Sequence, residues 1–309
     1  MNIQNQTAPV YDDEIDLKEL FSVLWAGKKL IIVITGVFAV ISVFYSLSIP
    51  NQYKASALLA PAQQQNGGLS GALGDLSGLA AIAGVNVGGV ESSEAQIAQE
   101  IIVSRGFIEK FLQQNDLAVE IFAADSWDSK NNQLSIDDDL YDIETQQWVR
   151  NPPAGKTVNP TSWELYQRFI EDISISADKK TGLITLTVEY FSPFLAKQWV
   201  DQLIVAINQH MQQRKLQKVN SNIEYLEAQI AKSPIAEMKE VFYTIIEEQI
   251  KGKMLAEASP EYVFVTVNPA MVPEEKSQPK RALICILGVL LGGMLSVVFV
   301  LIRYYSFSR

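Results

Sequence analysis

The chain of 309 residues carries 25 Lys and Arg against 35 Asp and Glu, a net charge of −10, with one histidine and one cysteine. A surface of that sign repels phosphate backbones rather than releasing their counterions, which argues against a nucleic-acid partner. The lone Cys285 excludes an internal disulfide and a thiolate ligand set, so any folded part must rest on an apolar core.

An acidic head, Asp12 to Glu19, leads into an uncharged stretch at residues 30–49, and a second such stretch occupies residues 282–302. At ~1.5 Å rise per residue, each is long enough to cross a hydrocarbon core of ~30 Å as a helix. Two crossings leave tails 1–29 and 303–309 on one side and residues 50–281 on the other. Lys28, Lys29 and Arg303 beside the spans fit cytoplasmic tails by the positive-inside tendency. Lys280 and Arg281 point the other way, but a loop of this length is largely exempt from that rule. A cleavable signal peptide would have an apolar core of about 7–15 residues behind a basic start. Here the stretch is longer and follows an acidic head, which predicts an uncleaved anchor. The charges of the two tails cancel, so the loop holds 20 of the 25 basic and 30 of the 35 acidic residues.

Tyr53, Ala55, Ala57 and Leu59 alternate with polar or small neighbours up to Pro61, the period of a strand. Residues 63–90 are Gly-rich, with Leu69, Leu73, Leu76 and Ala80 at helical spacing. They read as a partly helical loop packed on the domain base, or as a segment that touches the membrane surface or lines an assembly. Ser93 and Gln96 resemble a capping box opening a helix to about Gln114, with Ile97, Ile101, Ile108, Phe111 and Leu112 on one side. Leu117, Val119 and Ile121 read as a strand. Residues 125–160 turn polar, and their triplet Asp137, Asp138 and Asp139 reads as solvated surface rather than a Ca²⁺ loop, because ligand spacing is missing. Trp163, Tyr166, Phe169 and Ile170 predict a short helix.

Ile173 and Ile175 face Ile184, Leu186 and Val188 across a turn at residues 178–182, which predicts a hairpin. Ser192 and Pro193 supply an N-cap and a first-turn proline, and no Gly or Pro interrupts until Ser233 and Pro234. Forty helical residues would reach ~60 Å. The apolar positions Leu195, Trp199, Leu203, Ile207 and Met211 settle into heptad spacing at Leu216, Val219, Ile223, Leu226 and Ile230. That narrow stripe predicts a seam against one partner helix, supplied by residues 235–258 folding back or by a neighbouring copy. Residues 262–268, with Val263, Val265 and Val267, predict a returning strand.

Gly155, Lys156 and Thr157 look like the tail of a phosphate loop, but Arg150 stands where its first glycine belongs and prolines precede it. His210 has no histidine or cysteine partner for a metal site or nucleophile relay. The carboxylates are scattered. No catalytic residue, metal site or cofactor is expected.

Four regions together resemble the Wzz chain-length determinants, class 1 polysaccharide co-polymerases of Gram-negative inner membranes. They are the head Asp13-Glu14-Ile15-Asp16-Leu17-Lys18-Glu19-Leu20 with Leu24, Trp25 and Lys28; the run Ile82-Ala83-Gly84-Val85; the element Ser104-Arg105-Gly106-Phe107; and the proline segment at residues 268–281. Gln278 there separates serine from proline, where the family often joins them. The resemblance implies an α+β protein with two transmembrane helices flanking a periplasmic domain. Its α/β base takes residues 50–191 and 259–268, its long helical arm residues 192–258, and a proline strut residues 269–281. It further implies side-by-side association of copies into a ring, contact with membrane lipids, no catalysis, and biasing of the O-antigen polymerase so that chains on the undecaprenyl carrier stop within a preferred range.

In the spans, Gly288, Gly292 and Ser296 share one helical face, and Thr35, Ala39, Ser42 and Ser46 form a similar small seam. These faces read either as packing between the two spans of one protomer or as contacts to another protomer or the polymerase. Pro269, Pro273 and Pro279 either stop the second span from propagating outward or form a stiff extended strut. Two other classes compete. A two-span sensor needs a signalling domain after the second span, where seven residues stand. A co-polymerase of capsule or exopolysaccharide export would need a separate kinase chain, since the tail has no nucleotide loop.

Overall fold

The computed structural model describes residues 17–62 and 90–307. Residues 13–16 of the acidic head and the Gly-rich run with Leu69, Leu73, Leu76, Ala80 and Ile82 to Val85 lie outside them. The chain divides into two compact units, one of residues 1–50 and 278–309, the other Asn51–Ser277.

The first unit is helical. A helix α1, Leu17–Ala26, is followed after Gly27 by α2, Lys28–Ser48, and the chain returns at the other end as α9, Arg281–Phe307. Gly27 keeps the hydrogen-bond ladder running, donating to the Val23 carbonyl at 2.9 Å while its own carbonyl accepts from Leu30 and Ile31. Both α2 and α9 are long and apolar enough to cross a membrane, and only 11% and 17% of their apolar windows are buried, so neither is the core helix of a soluble fold.

The second unit is built on a four-stranded antiparallel sheet. Its strands are β1, Tyr53–Pro61; β6, Ile173–Ala177; β7, Ile184–Tyr190; and β8, Phe264–Asn268, in the order β6-β7-β1-β8. The hairpin pairs Ile175 with Leu186, and β1 pairs Ala55 with Val188 and Ala57 with Leu186. Period-two alternation puts Ala55, Ala57, Leu59, Ile184, Leu186 and Val188 on one buried face. Ser56 and Thr187 stand on the other, hydroxyl to hydroxyl at 2.9 Å.

The buried face is covered by α7, Pro193–Lys232, which contacts β1 and β7. Ser192 caps it by accepting from the Leu195 amide, and Pro193 occupies the first turn, where its missing N–H costs nothing. Ala196, Trp199, Val200, Leu203 and Ile207 are buried there. The other helices of the base are α3, Val90–Ile102; α4, Arg105–Asn115; α5, Ala118–Phe122; and α6, Ser162–Asp172. Their aromatic rings meet at Trp199. Phe111 stacks on Phe169 at 5.9 Å, Phe169 meets Trp199 edge-on at 5.4 Å, and Tyr190 lies 4.3 Å from Trp199. Truncating such a buried aromatic costs about 3–5 kcal/mol.

Four sequence expectations are corrected. Residues 117–121 are not a strand: Asp116 takes a left-handed φ of 51°, ending α4 with its N–H on the Leu112 carbonyl, and α5 follows at once. Leu117 and Ile121 are buried at a helical spacing of four, which the alternation with Val119 had imitated. The helix expected from Ser93 to Gln114 is two. Ser104, in extended backbone, closes α3 and opens α4, and Ile97 is exposed rather than core. The polar stretch contains two short hairpins, β2 (Ala124–Asp128) with β3 (Gln133–Ile136) and β4 (Tyr141–Asp142) with β5 (Gln147–Trp148). In β8 it is Phe264 that is buried, while Val265 and Val267 are exposed.

After the Ser233 and Pro234 break, α8, Ala236–Ala258, folds back along α7. The chain re-enters the base where Asn208 waits. Its Oδ1 accepts from the Val263 and Phe264 amides at 2.8 and 2.9 Å, and its Nδ2 donates to the Phe264 carbonyl at 3.0 Å. One turn on, Gln212 donates to the carbonyls of Ala256 and Ser259, serving the end of α8. Asn208→Ala leaves two amides and a carbonyl buried without partners. The expected loss is about 2–4 kcal/mol, read as a lowered unfolding midpoint in detergent-solubilised protein, with Asn208→Asp retaining part of it.

Candidate functional site

Within the first unit the small-residue seam lies between the two apolar helices of one protomer. A Cβ on Gly288 would fall 2.5 Å from Ser42 Cβ, and one on Gly292 would fall 2.6 Å from Phe38 Cβ and 3.3 Å from Thr35 Cα. Ser296 is fully buried, and Ser42 and Ser46 nearly so, with Ser42 and Ser296 each returning its hydroxyl to its own helix. Ala39 is half-buried beside them. Gly27 continues the line, a Cβ there falling 2.6 Å from Val300 Cγ1. The glycines thus allow backbone to approach side chain more closely than any other residue permits. Gly293, one position along, faces open space. Gly292→Leu is therefore expected to cost about 1–3 kcal/mol of helix pairing while Gly293→Leu is tolerated. Thermal stability of the two variants in native membranes, compared side by side, checks this.

In the second unit the heptad seam is half-closed. Val219 is buried, Leu216, Ile223, Leu226 and Ile230 are half-buried, and α8 of the same chain supplies the facing helix. Met238, Val241, Tyr243 and Ile245 of α8 and Tyr225 of α7 remain exposed. In the proline segment, Pro269 and Pro273 flank the buried Ala270, and Ser277 comes back beside the start of β1, its amide donating to the Gln52 carbonyl at 2.8 Å. Pro279 follows a cis peptide bond in the other unit.

The element around Arg105 is structural. Its guanidinium pairs with Glu109 at 2.6 Å and lies 4.9 Å from the Trp163 ring, holding α4 to α6, and Phe107 is buried against His210 at 5.7 Å. Burial, then Lys110 and Arg214, hold the His210 pKa below its ordinary value, so the ring is a neutral packing partner. Asp137 accepts from the Asp139 amide at 2.9 Å, making a turn of the acidic triplet. Among the described residues no group of three His, Cys, Asp or Glu could hold a metal ion.

Sequence reasoning missed a buried ion cluster. Arg150 forms a bidentate pair with Glu164 at 2.9 and 3.0 Å, donates to the carbonyls of Thr157, Val158 and Asn159, and lies over Phe122 at 4.8 Å. Glu164 also receives Lys156 at 3.0 Å and completes a capping box with Thr161. The lysine of the apparent phosphate loop thus serves this carboxylate. The capping pattern Thr161 to Glu164 was legible; the partner fourteen residues upstream was not. The Arg150 hydrogen bonds above all hold the Glu164 pKa far below its ordinary 4.5. The unfolded chain therefore binds more protons than the folded one, so this stabilisation is complete above 4.5 and declines as pH falls below it. Arg150→Met should cost about 3–5 kcal/mol at neutral pH, with the gap to the parent protein narrowing in acid, as measured by unfolding midpoints across pH.

Two helices long and apolar enough to cross a membrane flank, in sequence, a sheet-based unit with a back-folded helix pair, an arrangement consistent with a two-pass membrane protein. The family model for Wzz, chain length determinant protein, matches residues 13–115, and that for GNVR, "G-rich domain on putative tyrosine kinase", matches residues 236–305. The two matches lie in opposite parts of the sequence, and a chain length determinant domain followed by a GNVR domain on one chain supports the polysaccharide co-polymerase family. Among solved structures, a full-length bacterial polysaccharide co-polymerase is similar at 17% identity over 95% of this chain and 99% of its own, with a TM-score of 0.39. A comparison with curated proteins gives no match.

Proposed function

We propose that the protein sets the length range of O-antigen chains, acting without bond-making chemistry as a homo-oligomer that biases the O-antigen polymerase while it extends undecaprenyl-linked saccharide. The observation that carries this is the chain length determinant match over residues 13–115, which takes in the first apolar helix, β1 and the core helices α3 and α4. In this reading both helices cross the inner membrane, Lys28, Lys29 and Arg303 mark the cytoplasmic side, and the acidic unit of residues 51–277 is periplasmic. The exposed apolar side chains of α8 then serve association between arms, and Pro269, Pro273 and Pro279 keep the segment before α9 extended.

A second reading is favoured by the GNVR match at residues 236–305: a co-polymerase of capsular or exopolysaccharide export that works with a separate kinase chain. Deletion followed by electrophoresis of extracted lipopolysaccharide separates the two. The first expects the modal band to disperse while polymerisation continues, with the band restored by the intact gene. An unchanged ladder together with lost or shortened capsular or secreted polysaccharide would decide for the second.

A further inference from the structure

The outward apolar face of the first unit does not end where its charges begin. The hydrogen-bond ladder runs from α1 through Gly27 into α2, so positions 21, 25, 28 and 32 recur at helical spacing on one face. Val23 and Gly27 lie on the opposite side, Val23 buried and Gly27 against Val300 of α9. The first face is therefore turned outward: Phe21 is 65%, Trp25 63% and Ile32 69% exposed. The Phe21 and Trp25 rings stack at 6.0 Å, and Lys28 Nζ folds back over the Trp25 ring at 4.4 Å. Ile32 belongs to the uncharged stretch, but Phe21 and Trp25 stand beyond Lys28 and Lys29, one to two turns outside it.

We infer that this face is a binding site for anionic lipid headgroups, in which the Phe21 and Trp25 rings lie in the polar layer of the bilayer and Lys28 and Lys29 hold lipid phosphate. The inference rests on the reading of α2 and α9 as membrane spans. The 21 residues of α2 rise about 31 Å, which matches a hydrocarbon core of ~30 Å, so the core ends near Lys28. Beyond it the headgroup layer is roughly 5–8 Å thick on each side. Trp25 falls about 5 Å past Lys28, inside that layer, and Phe21 about 10 Å past, at its outer edge. Water is a poor medium for two stacked rings with most of their surface open, whereas this layer offers apolar contact to the rings and polar contact to the indole N–H. The lysines suit the same depth, because a long side chain at the end of a span reaches outward to the phosphates. Lys28 does so along Trp25, one side of its ammonium meeting the ring and the other turned to where a phosphate oxygen would lie. Arg303, three residues past Val300 on α9, is exposed at the same end and adds a third cation. No carboxylate stands within residues 21–32 or 300–307, so the local charge selects an anionic lipid. Asp12, Asp13, Glu14 and Asp16 precede α1, and their charge favours water, which keeps the helix from entering deeper.

Tryptophan quenching of the full-length protein, reconstituted in vesicles of phosphatidylethanolamine and phosphatidylglycerol, tests this. Subtracting the emission of Trp25→Phe from that of the parent isolates Trp25 from Trp127, Trp148, Trp163 and Trp199. Lipid brominated close to the glycerol should quench that difference signal several-fold more than acrylamide present on both sides of the bilayer; the reverse order overturns the proposal. Ile32→Trp in the Trp25→Phe background separates this outcome from the span reading beneath it, and both positions are exposed, so packing is kept. If bromolipid quenches the tryptophan introduced at position 32 but not Trp25, the spans stand and the headgroup site falls; if acrylamide reaches position 32, both fall. For the charge, brominated phosphatidylglycerol is compared with brominated phosphatidylcholine at equal mole fraction. The parent should enrich the anionic lipid around Trp25 by up to about fivefold for each nearby cation, and Lys28→Gln with Lys29→Gln should lower that preference. Equal quenching by the two lipids in the parent, or a preference that the double variant keeps in full, overturns the assignment to anionic lipid.

Discussion

One unbroken helix carries both jobs of the second unit, and its continuity is the constraint on everything around it. The first half of α7 lies on the sheet through Trp199, Leu203 and Ile207, and its second half leaves the core with only the narrow stripe from Leu216 to Ile230. A helix cannot change direction without a proline, a glycine pair or an inserted group, and none interrupts these forty residues. The chain that continues from it must therefore come back beside it. Asn208 and Gln212, one turn apart on the same face, receive that return by satisfying the end of α8 and the entry of β8. Because amide hydrogen bonds are directional and costly to leave unmade in the interior, they fix the register of the return in a way an apolar contact would not.

The elements read correctly from sequence are those whose signal is local and repeated. The apolar helices, β1, the β6–β7 hairpin, α6 and the capped start of α7 each declare themselves through periodicity and punctuation within their own span. Failures occur where two signals share a spacing. Leu117 and Ile121 satisfy both a strand's alternation and a helix's return after four, and only the left-handed turn at Asp116, invisible in composition, decides between them. Ser104 divides one apolar stripe into two helices without interrupting the stripe. The strands in the hairpins of residues 124–148 are two to five residues long and too polar to alternate visibly.

Buried polar chemistry was the least legible layer. Nothing in the sequence couples Arg150 to Glu164 or Asn208 to the backbone of Phe264, because those pairings are set by tertiary folding across 14 and 56 positions. The candidate sites fared unevenly for the same reason. Small residues on one helix face announce close approach, but not whose helix approaches; here the facing helix is the chain's own. The seam of α7 likewise announced a single partner helix, and the back-folded α8 fills that place.

The fifth residue of β8 is followed at once by Pro269, and this has a bearing on how copies can meet. An edge strand offers a ladder of free N–H and C=O groups to any extended chain, and natural sheets guard against such growth by keeping edges short and placing a residue without a donor there. With Val265 and Val267 turned outward and proline ending the run, β8 invites side-chain contact but gives an added strand almost nothing to zip onto. Sheets of two molecules brought together are thereby discouraged from fusing into a continuous ribbon, and packing of helix on helix is left as the safer form of contact wherever two such chains meet.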